Sequence, residues 1–237
     1  MKISSMSSVL RKVDGTELDI VNAARVSFHK ESTWEYGDGL GGFSDKPHLP
    51  AKDIKLINYL AKHNHWTPFG HVGATFVVKA PIFVARQLGK HQVGFVWNEV
   101  SRRYVDEEPE FFFPKREKGW RSRPKENVKQ GSGSEYIDVF EYGNDFTENI
   151  PEDAVEVCLE AYERLLKKGV APEQARMILP QNTMTEWWWT GSLAAWSRVF
   201  KLRLDPHTQQ ETRDLVQIMH DQLMPSFPNA LKALMEA

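Results

Sequence analysis

Residues 71–104 read HVGATFVVKAPIFVARQLGKHQVGFVWNEVSRRY, and the fold class turns on them. Between His71 and Lys79 the pattern alternates. Val72, Ala74, Phe76 and Val78 share one side, the two-residue period of a strand. Pro81 then suits the first turn of a helix, where a missing N–H costs no hydrogen bond. That helix, residues 82–91, presents Arg86, Gln87, Lys90 and His91 near its carboxy end. From Arg86 to Tyr104 polar residues crowd the chain: Asn98, Glu99, Ser101, Arg102 and Arg103 follow Gln92 with little apolar residue between them. Arginine forks and hydroxyls bind phosphate oxygens, and amides pair with ring N–H and C=O groups. The stretch reads as a ligand site rather than as a solvated face.

Working outward, residues 14–28 suggest a short strand leading into a helix that bears Ala23, Ala24 and Ser27. Residues 37–50 are rich in glycine and proline and read as loop. A helix over 51–63 places Ile54, Ile57, Leu60 and Ala61 on its apolar side. Residues 151–168 form an amphipathic helix closed by Gly169, with Val155, Cys158, Leu159, Tyr162, Leu165 and Leu166 along one side. Residues 172–179 form a short helix ended by Pro180, and 190–203 a further helix. Asp205-Pro206 reads as cap and first turn of a last long helix carrying Leu215, Ile218, Met219 and Leu223. The consecutive Trp187, Trp188 and Trp189 read as core or subunit contact rather than a ligand platform. The simplest account is one α+β domain over 1–237, with a helix-rich carboxy-terminal half and a polar insertion near 114–134. Between Lys115 and Lys129 that insertion holds seven cations against two glutamates. It is either a solvated loop, the favoured reading, or a grip on single-stranded nucleic acid with Trp120 as stacking platform.

Composition excludes several classes. The 237 residues are 41% hydrophobic and 26% charged, with a formal net charge of −2, so nothing draws the whole chain to nucleic acid or an anionic membrane. No apolar run approaches the roughly 18 residues of a span. The start, MKISSMSSVLRKVDG, lacks the apolar core of a secretory signal. A soluble cytoplasmic protein is expected. The single cysteine, Cys158, excludes an intrachain disulfide and any CxxC motif. It reads as an inert buried thiol. The eight histidines contain no HExxH, and His63, His65 and His71 have no nearby carboxylate pair, so no metal site is expected.

Five short segments, in order, carry a resemblance. They are Ala23-Ala24-Arg25-Val26-Ser27-Phe28, His65-Trp66-Thr67-Pro68-Phe69-Gly70-His71, and Lys90-His91-Gln92 followed by Asn98-Glu99-Val100-Ser101-Arg102-Arg103-Tyr104. Then come Ala175-Arg176-Met177-Ile178-Leu179-Pro180 and the run from Leu202 through Arg203 to Glu211. Together they resemble the flavin-dependent thymidylate synthases. The family usually has arginines at the places of Lys90 and Gln92, seven rather than eight residues before the serine, and glutamate at Gly70. It usually has asparagines at Ser192 and Arg198 and arginine at Ala194.

The resemblance implies a twisted antiparallel sheet flanked by helices and a cytoplasmic homotetramer whose active sites form between subunits. It implies reductive methylation of dUMP to dTMP, with methylenetetrahydrofolate as one-carbon donor and FAD, reduced by NADPH, as hydride source. Arg203 is the implied catalytic residue, against the uracil ring. Gln87, Lys90, Glu99, Ser101, Arg102, Arg103 and Arg176, with Arg203, are the implied dUMP contacts. Ser27, His65, Thr67, Lys90, His91, Gln92, Glu99, Ser192 and Arg198 are implied for FAD. Ser101 belongs with phosphate binding, since no histidine–carboxylate pair at suggestive spacing would activate it as a nucleophile. Plainer roles stand beside these. Arg203 would satisfy its own helix end, Arg176 would form a surface ion pair with a helix neighbour such as Glu173, Glu99 would be a helix-capping or surface carboxylate, and His65 and His91 would be buried histidines bonded to backbone. Two other functions remain open at this point: a catalytically silent nucleotide-binding relative, and a single-strand nucleic-acid-binding protein using 115–129.

Overall fold

The computed structural model describes residues 1–36, 47–105, 107–115, 119–125, 131–142 and 147–237. In chain order its elements are β1 (Lys2–Ile3), β2 (Ser7–Asp14), α1 (Glu17–Arg25), α2 (Ala51–Lys62), β3 (Gly73–Pro81), α3 (Ile82–Leu88), β4 (Phe95–Glu99) and β5 (Glu110–Phe111). There follow β6 (Phe140–Tyr142), β7 (Thr147–Asn149), α4 (Ile150–Lys167), α5 (Pro172–Ala175), β8 (Met184–Ser192), α6 (Leu193–Arg203), α7 (Gln210–Leu223) and α8 (Pro228–Glu236).

Four strands form an antiparallel sheet in the order β2-β3-β8-β4. Its register sets Phe76 beside Trp189, Val78 beside Trp187, and Trp97 across from Trp189. Alternation then gathers these rings on one face, where α6 and α7 lay Trp196, Val199, Phe200, Leu215 and Met219 against them. The expected α+β class, with an antiparallel sheet and packed helices, holds. The three tryptophans divide by the same alternation: Trp187 and Trp189 are buried, while Trp188 on the other face is 53% exposed. No helix among the described residues is long and apolar enough to cross a membrane.

Polar side chains close the edges of this core. The Gln222 amide accepts from the Leu10 N–H at 2.9 Å and donates to the Ser8 carbonyl at 2.8 Å, so α7 satisfies the edge strand β2 where its register shifts. Buried Glu17 accepts from the Ala230 N–H at 2.7 Å and from Asn229 at 2.8 Å, which caps α8 from α1. Asp53, fully buried, pairs with Arg25 and ties α2 to α1.

Several boundaries differ from expectation. The strand expected within 14–28 lies upstream, in β2, and stops at Asp14. Asp19 accepts from both the N–H and the hydroxyl of Thr16 at 2.7 Å, which starts α1, and Ser27 follows in a 3-10 turn. β3 continues through Pro81, which caps α3 instead of opening its first turn. The helix expected to reach His91 ends at Leu88. Gly89 is a poor helix residue, and Gly94, with φ of +82°, turns the chain into β4. β4 itself is an unexpected strand. Residues 190–192 complete β8 rather than opening α6, and the Ser192 hydroxyl caps α6 by accepting from the Ala195 N–H at 3.3 Å. Asp205-Pro206 forms a free turn, with Asp205 accepting from the His207 N–H at 2.8 Å, and α7 begins only at Gln210. The 172–179 helix is α-helical to Ala175 and then a 3-10 turn over Arg176–Ile178. α8 is an addition. Of the loop read over 37–50, residues 37–46 lie outside the described residues, as do 116–118 and 126–130 of the polar insertion.

Candidate active site

α3, the turn after it, β4 and the end of α6 converge. From α6, the Arg203 Nε donates to His91 Nε2 at 3.0 Å, and its Nη2 donates to the Gln87 carbonyl at 3.3 Å. Nearer the start of that helix, the Arg198 Nη2 donates to the Val93 carbonyl at 2.7 Å. Two arginines of one helix therefore fasten the segment that carries Lys90, His91 and Gln92. The fit is close: a Cβ on Gly94 would lie 3.0 Å from Ala195 Cβ. The Arg203 guanidinium serves another element, not its own helix end, so the plain helix-end role does not hold.

The Arg203–His91 bond links two clefts. One, of about 470 Å³, is lined by Arg86, Lys90, His91, Gln92, Phe95, Trp97 and Glu99, among others. The second, of about 500 Å³, is lined by Gln87, Arg203, Asp205, His207, Thr208 and Gln209, among others. Glu99 is held in the first: Thr185 donates to its Oε1 at 2.7 Å and the Trp97 indole N–H to its Oε2 at 3.1 Å. It caps no helix among the described residues; it is exposed, as the plain surface-carboxylate role has it, but with both oxygens engaged. In the second, the fully buried Thr212 hydroxyl bonds Gln87 Oε1, which turns the Gln87 –NH₂ away as a donor with no partner among the described residues.

His91 must accept through Nε2 to meet Arg203, so it is neutral with its proton on Nδ1. Burial first, then the charges of Arg203 and Arg198, lower its pKa from the usual 6.5 to about 4. Burial also lowers the pKa of Arg203. The His91 ring is expected to titrate by NMR near pH 4, and near the ordinary value if the cluster does not form. The unfolded chain takes up this proton near 6.5, so stability falls as pH drops from there towards 4 and levels off below.

The thymidylate synthase complementing protein family matches the chain over residues 8–229. This chain belongs to that family. It is 37% identical over 202 residues to a flavin-dependent thymidylate synthase of Kosmotoga olearia, covering 85% of this chain and 78% of the relative. With that of Thermus thermophilus it shares 37% over 229 residues, covering 96% and 75%. The UMP/dUMP methylase PolB from Streptomyces cacaoi, solved with 5-Br dUMP, superposes with a TM-score of 0.77 at 26% identity. That superposition covers 100% of this chain and 97% of PolB.

Within one chain the site residues that the sequence resemblance implied fall into separate groups. Gln87, Lys90, His91, Gln92, Glu99, Ser192, Arg198 and Arg203 lie on the converging elements. Ser27, His65, Thr67 and Arg176 are exposed and make no hydrogen bond to that cluster among the described residues. Arg176 forms no ion pair with Glu173 among the described residues, so its expected surface pairing is absent. His65 is exposed, ringed by Tyr59 and His63 at 5.9 and 6.3 Å, so the buried-histidine reading fails there. His91 is half-buried and bonds a guanidinium through its ring, not backbone. Beyond β4, the Arg103 Nε donates to the Ser101 hydroxyl at 3.2 Å and its guanidinium lies over the Tyr104 ring. Arg102 donates to the carbonyls of Glu107 and Glu108.

Sequence reading missed Trp97, Thr185, Thr212 and the lining by His207 and Thr208. The alternation Phe95, Trp97, Glu99 was a signal for the first. Nothing local announces the two threonines, whose partners lie 86 and 125 residues away.

Proposed function

We propose that this chain, a methyltransferase of nucleotide biosynthesis, makes dTMP from dUMP by reductive methylation, taking the one-carbon unit from methylenetetrahydrofolate. The carrying observation is Arg203 fixed by His91 and Gln87 within a chain of this family. Arg203 is catalytic. Its remaining N–H groups meet a uracil carbonyl and stabilise negative charge that builds in the ring during transfer. Gln87 donates its amide to the nucleotide, and Glu99 accepts a ribose hydroxyl. Ser101, Arg103 and Arg176 take the phosphate, with Lys90 adding charge and Arg102 shaping the backbone beside them.

The donor set suits a flavin dinucleotide. Lys90 and Gln92 make no side-chain hydrogen bond among the described residues, and with Arg198, Ser27, His65 and Thr67 they supply cations, amide and hydroxyls for its pyrophosphate and ring edge. His91, Glu99 and Ser192 border the same place. Bound there, FAD supplies the hydride, replenished from NADPH.

The site is shared between subunits of a homotetramer, and residues 1–237 form one domain with 114–134 as a polar insertion. The outlying residues support this. Val26 and Phe28 flank Ser27, Trp66 lies between His65 and Thr67, and Met177 follows Arg176, all of them exposed large apolar side chains. A cytoplasmic location accords with a substrate set of nucleotide, folate and NADPH. The nucleic-acid reading gains nothing, since Arg121 and Lys125 of the basic segment are paired with Glu211 and Glu135.

The test is dTMP formation from dUMP, methylenetetrahydrofolate and NADPH by flavin-loaded protein. Product and NADPH oxidation in equal amounts support the proposal; oxidation without dTMP, or neither, overturns it. Cys158→Ser is expected to retain full activity, because Cys158 lies on α4, away from the converging elements, and has no catalytic part; the thiol is half-buried there, not buried as expected. Thr212→Val is expected to raise KM for dUMP about three- to tenfold with a smaller change in kcat, the effect of one lost hydrogen bond. Thr212→Ser should restore it, since it keeps the hydroxyl that orients Gln87.

A further inference from the structure

The Arg203 cleft continues past His207 and Thr208 into a third cleft that no part of the reaction described above uses. This one, of about 430 Å³, lies between the described part of the polar insertion and the start of α7. It shares Gly131, His207 and Thr208 with the Arg203 cleft. Arg121, Ser132, Ser134, Tyr136 and Arg213 form its polar lining, and among the described residues no aspartate or glutamate lines it.

Both arginines are held in place. Arg121 donates from Nε to the Ser132 hydroxyl at 2.7 Å and from Nη2 to Glu211 at 2.6 Å. Glu211 sits behind it, buried, with its second oxygen taken by Gln209 at 3.1 Å. Arg213 donates from Nη1 to the Pro206 carbonyl at 2.7 Å and from Nη2 to Gln210. Each guanidinium carries five N–H donors, so each keeps donors free after these bonds. Pre-set guanidinium groups and hydroxyls, with no competing carboxylate in the described lining, suit carboxylate oxygens.

We propose that this cleft binds the glutamyl tail of the folate co-substrate. The inference rests on the function proposed above, because the folate ring must sit near Arg203 for its tail to reach here. The nucleotide phosphate already has Ser101, Arg103 and Arg176. A tail that repeats one carboxylate per unit also finds a further cation at the rim: Arg123, exposed and in no ion pair among the described residues, precedes Pro124, which itself lines the cleft, while Arg121 and Lys125 already face Glu211 and Glu135. The preference for a longer tail is electrostatic and weakens with salt.

The experiment compares calorimetric dissociation constants of tetrahydrofolate mono- and pentaglutamate on the flavin-loaded protein with dUMP bound. Wild type is expected to bind the pentaglutamate about fivefold more tightly, the scale of partly exposed ion pairs, with the advantage shrinking in 0.5 M salt, roughly a 4 Å screening length. Arg213→Gln should bring the ratio to about one, and Arg213→Lys, which keeps the charge, should retain most of it. Lys52→Gln, an exposed change on α2, controls for net charge and should leave the ratio as in wild type. Melting curves verify that each variant is folded. A wild-type ratio of one, or a ratio unchanged in Arg213→Gln, overturns the proposal. So does a loss that falls on dUMP, or on discrimination between NADPH and NADH, in place of the folate ratio. If wild type binds neither folate and forms no dTMP, the functional reading has failed, and this one with it.

Discussion

Arg203→Ala is expected to lower kcat for dTMP formation by about 10²–10³, the cost of removing one pre-set donor to a developing anion. The guanidinium is fixed before substrate arrives: His91 Nε2 accepts from its Nε at 3.0 Å and the Gln87 carbonyl from its Nη2. No reorganisation is therefore needed as charge grows in the pyrimidine ring. Lysine keeps the charge but not the planar fork, and cannot hold His91 and the ring together, so Arg203→Lys should also be severely impaired. Arg203 is half-buried and its loss leaves no apolar void, so the melting temperature should change little. A second sign accompanies the first. Removing the Arg203 charge takes away one of the causes that lower the His91 pKa, so the ring should titrate higher in the variant than the value of about 4 in the parent. Steady-state kinetics with saturating flavin, together with an NMR titration, measure both. A kcat within a few-fold of the parent would remove Arg203 from the chemistry.

Trp196→Ala is expected to cost about 3–5 kcal/mol of stability, the range for deleting a buried aromatic ring. Few side chains of this fold hold so much together. Trp196 is fully buried, its ring meets Phe76, Phe95 and Trp189 at 4.8–4.9 Å, and its indole N–H donates to the Ala74 carbonyl at 3.1 Å. It thus joins α6 to β3, β8 and β4 together. In a chain of this size each kcal/mol shifts the melting temperature by about 2–4 °C, so a fall of about 6–20 °C is expected. The consequence reaches function, because α6 carries Arg198 and Arg203 and Phe95 follows the turn that they fasten. Trp196→Phe keeps most of the packing and loses the hydrogen bond, so it should fall between parent and alanine variant. Denaturant unfolding of the three proteins orders them.

Period and punctuation made much of this fold legible. The 3.6-residue pattern placed α2, α4 and α7 within a few residues, because each buries one apolar stripe: Ile57 with Leu60, Val155 with Leu159, Leu215 with Met219. β4 escaped because Phe95 and Trp97 are embedded among site residues, where alternation is masked by ligand chemistry. The end of α3 was misplaced because Arg86, Gln87, Lys90 and His91 also fit helical spacing; Gly89 was the overlooked stop. The site was legible as a polar block and by family resemblance, but not as geometry. That Arg203 would meet His91 depends on a contact across 112 residues, and Thr212 on Gln87 across 125. Neither pairing leaves a local pattern. The outlying positions Ser27, His65, Thr67 and Arg176 were named by resemblance alone, and one chain does not bring them to the cluster.

The most direct test is the absorbance of the purified, flavin-loaded protein in the flavin band, roughly 350–500 nm, followed anaerobically while NADPH is added with and without dUMP. A bound flavin band should bleach, and bleach faster when dUMP is present, because reductant, flavin and nucleotide share one site around Arg203 and Lys90–Gln92. A protein that takes up no FAD, or whose flavin responds to neither NADPH nor dUMP, would contradict it.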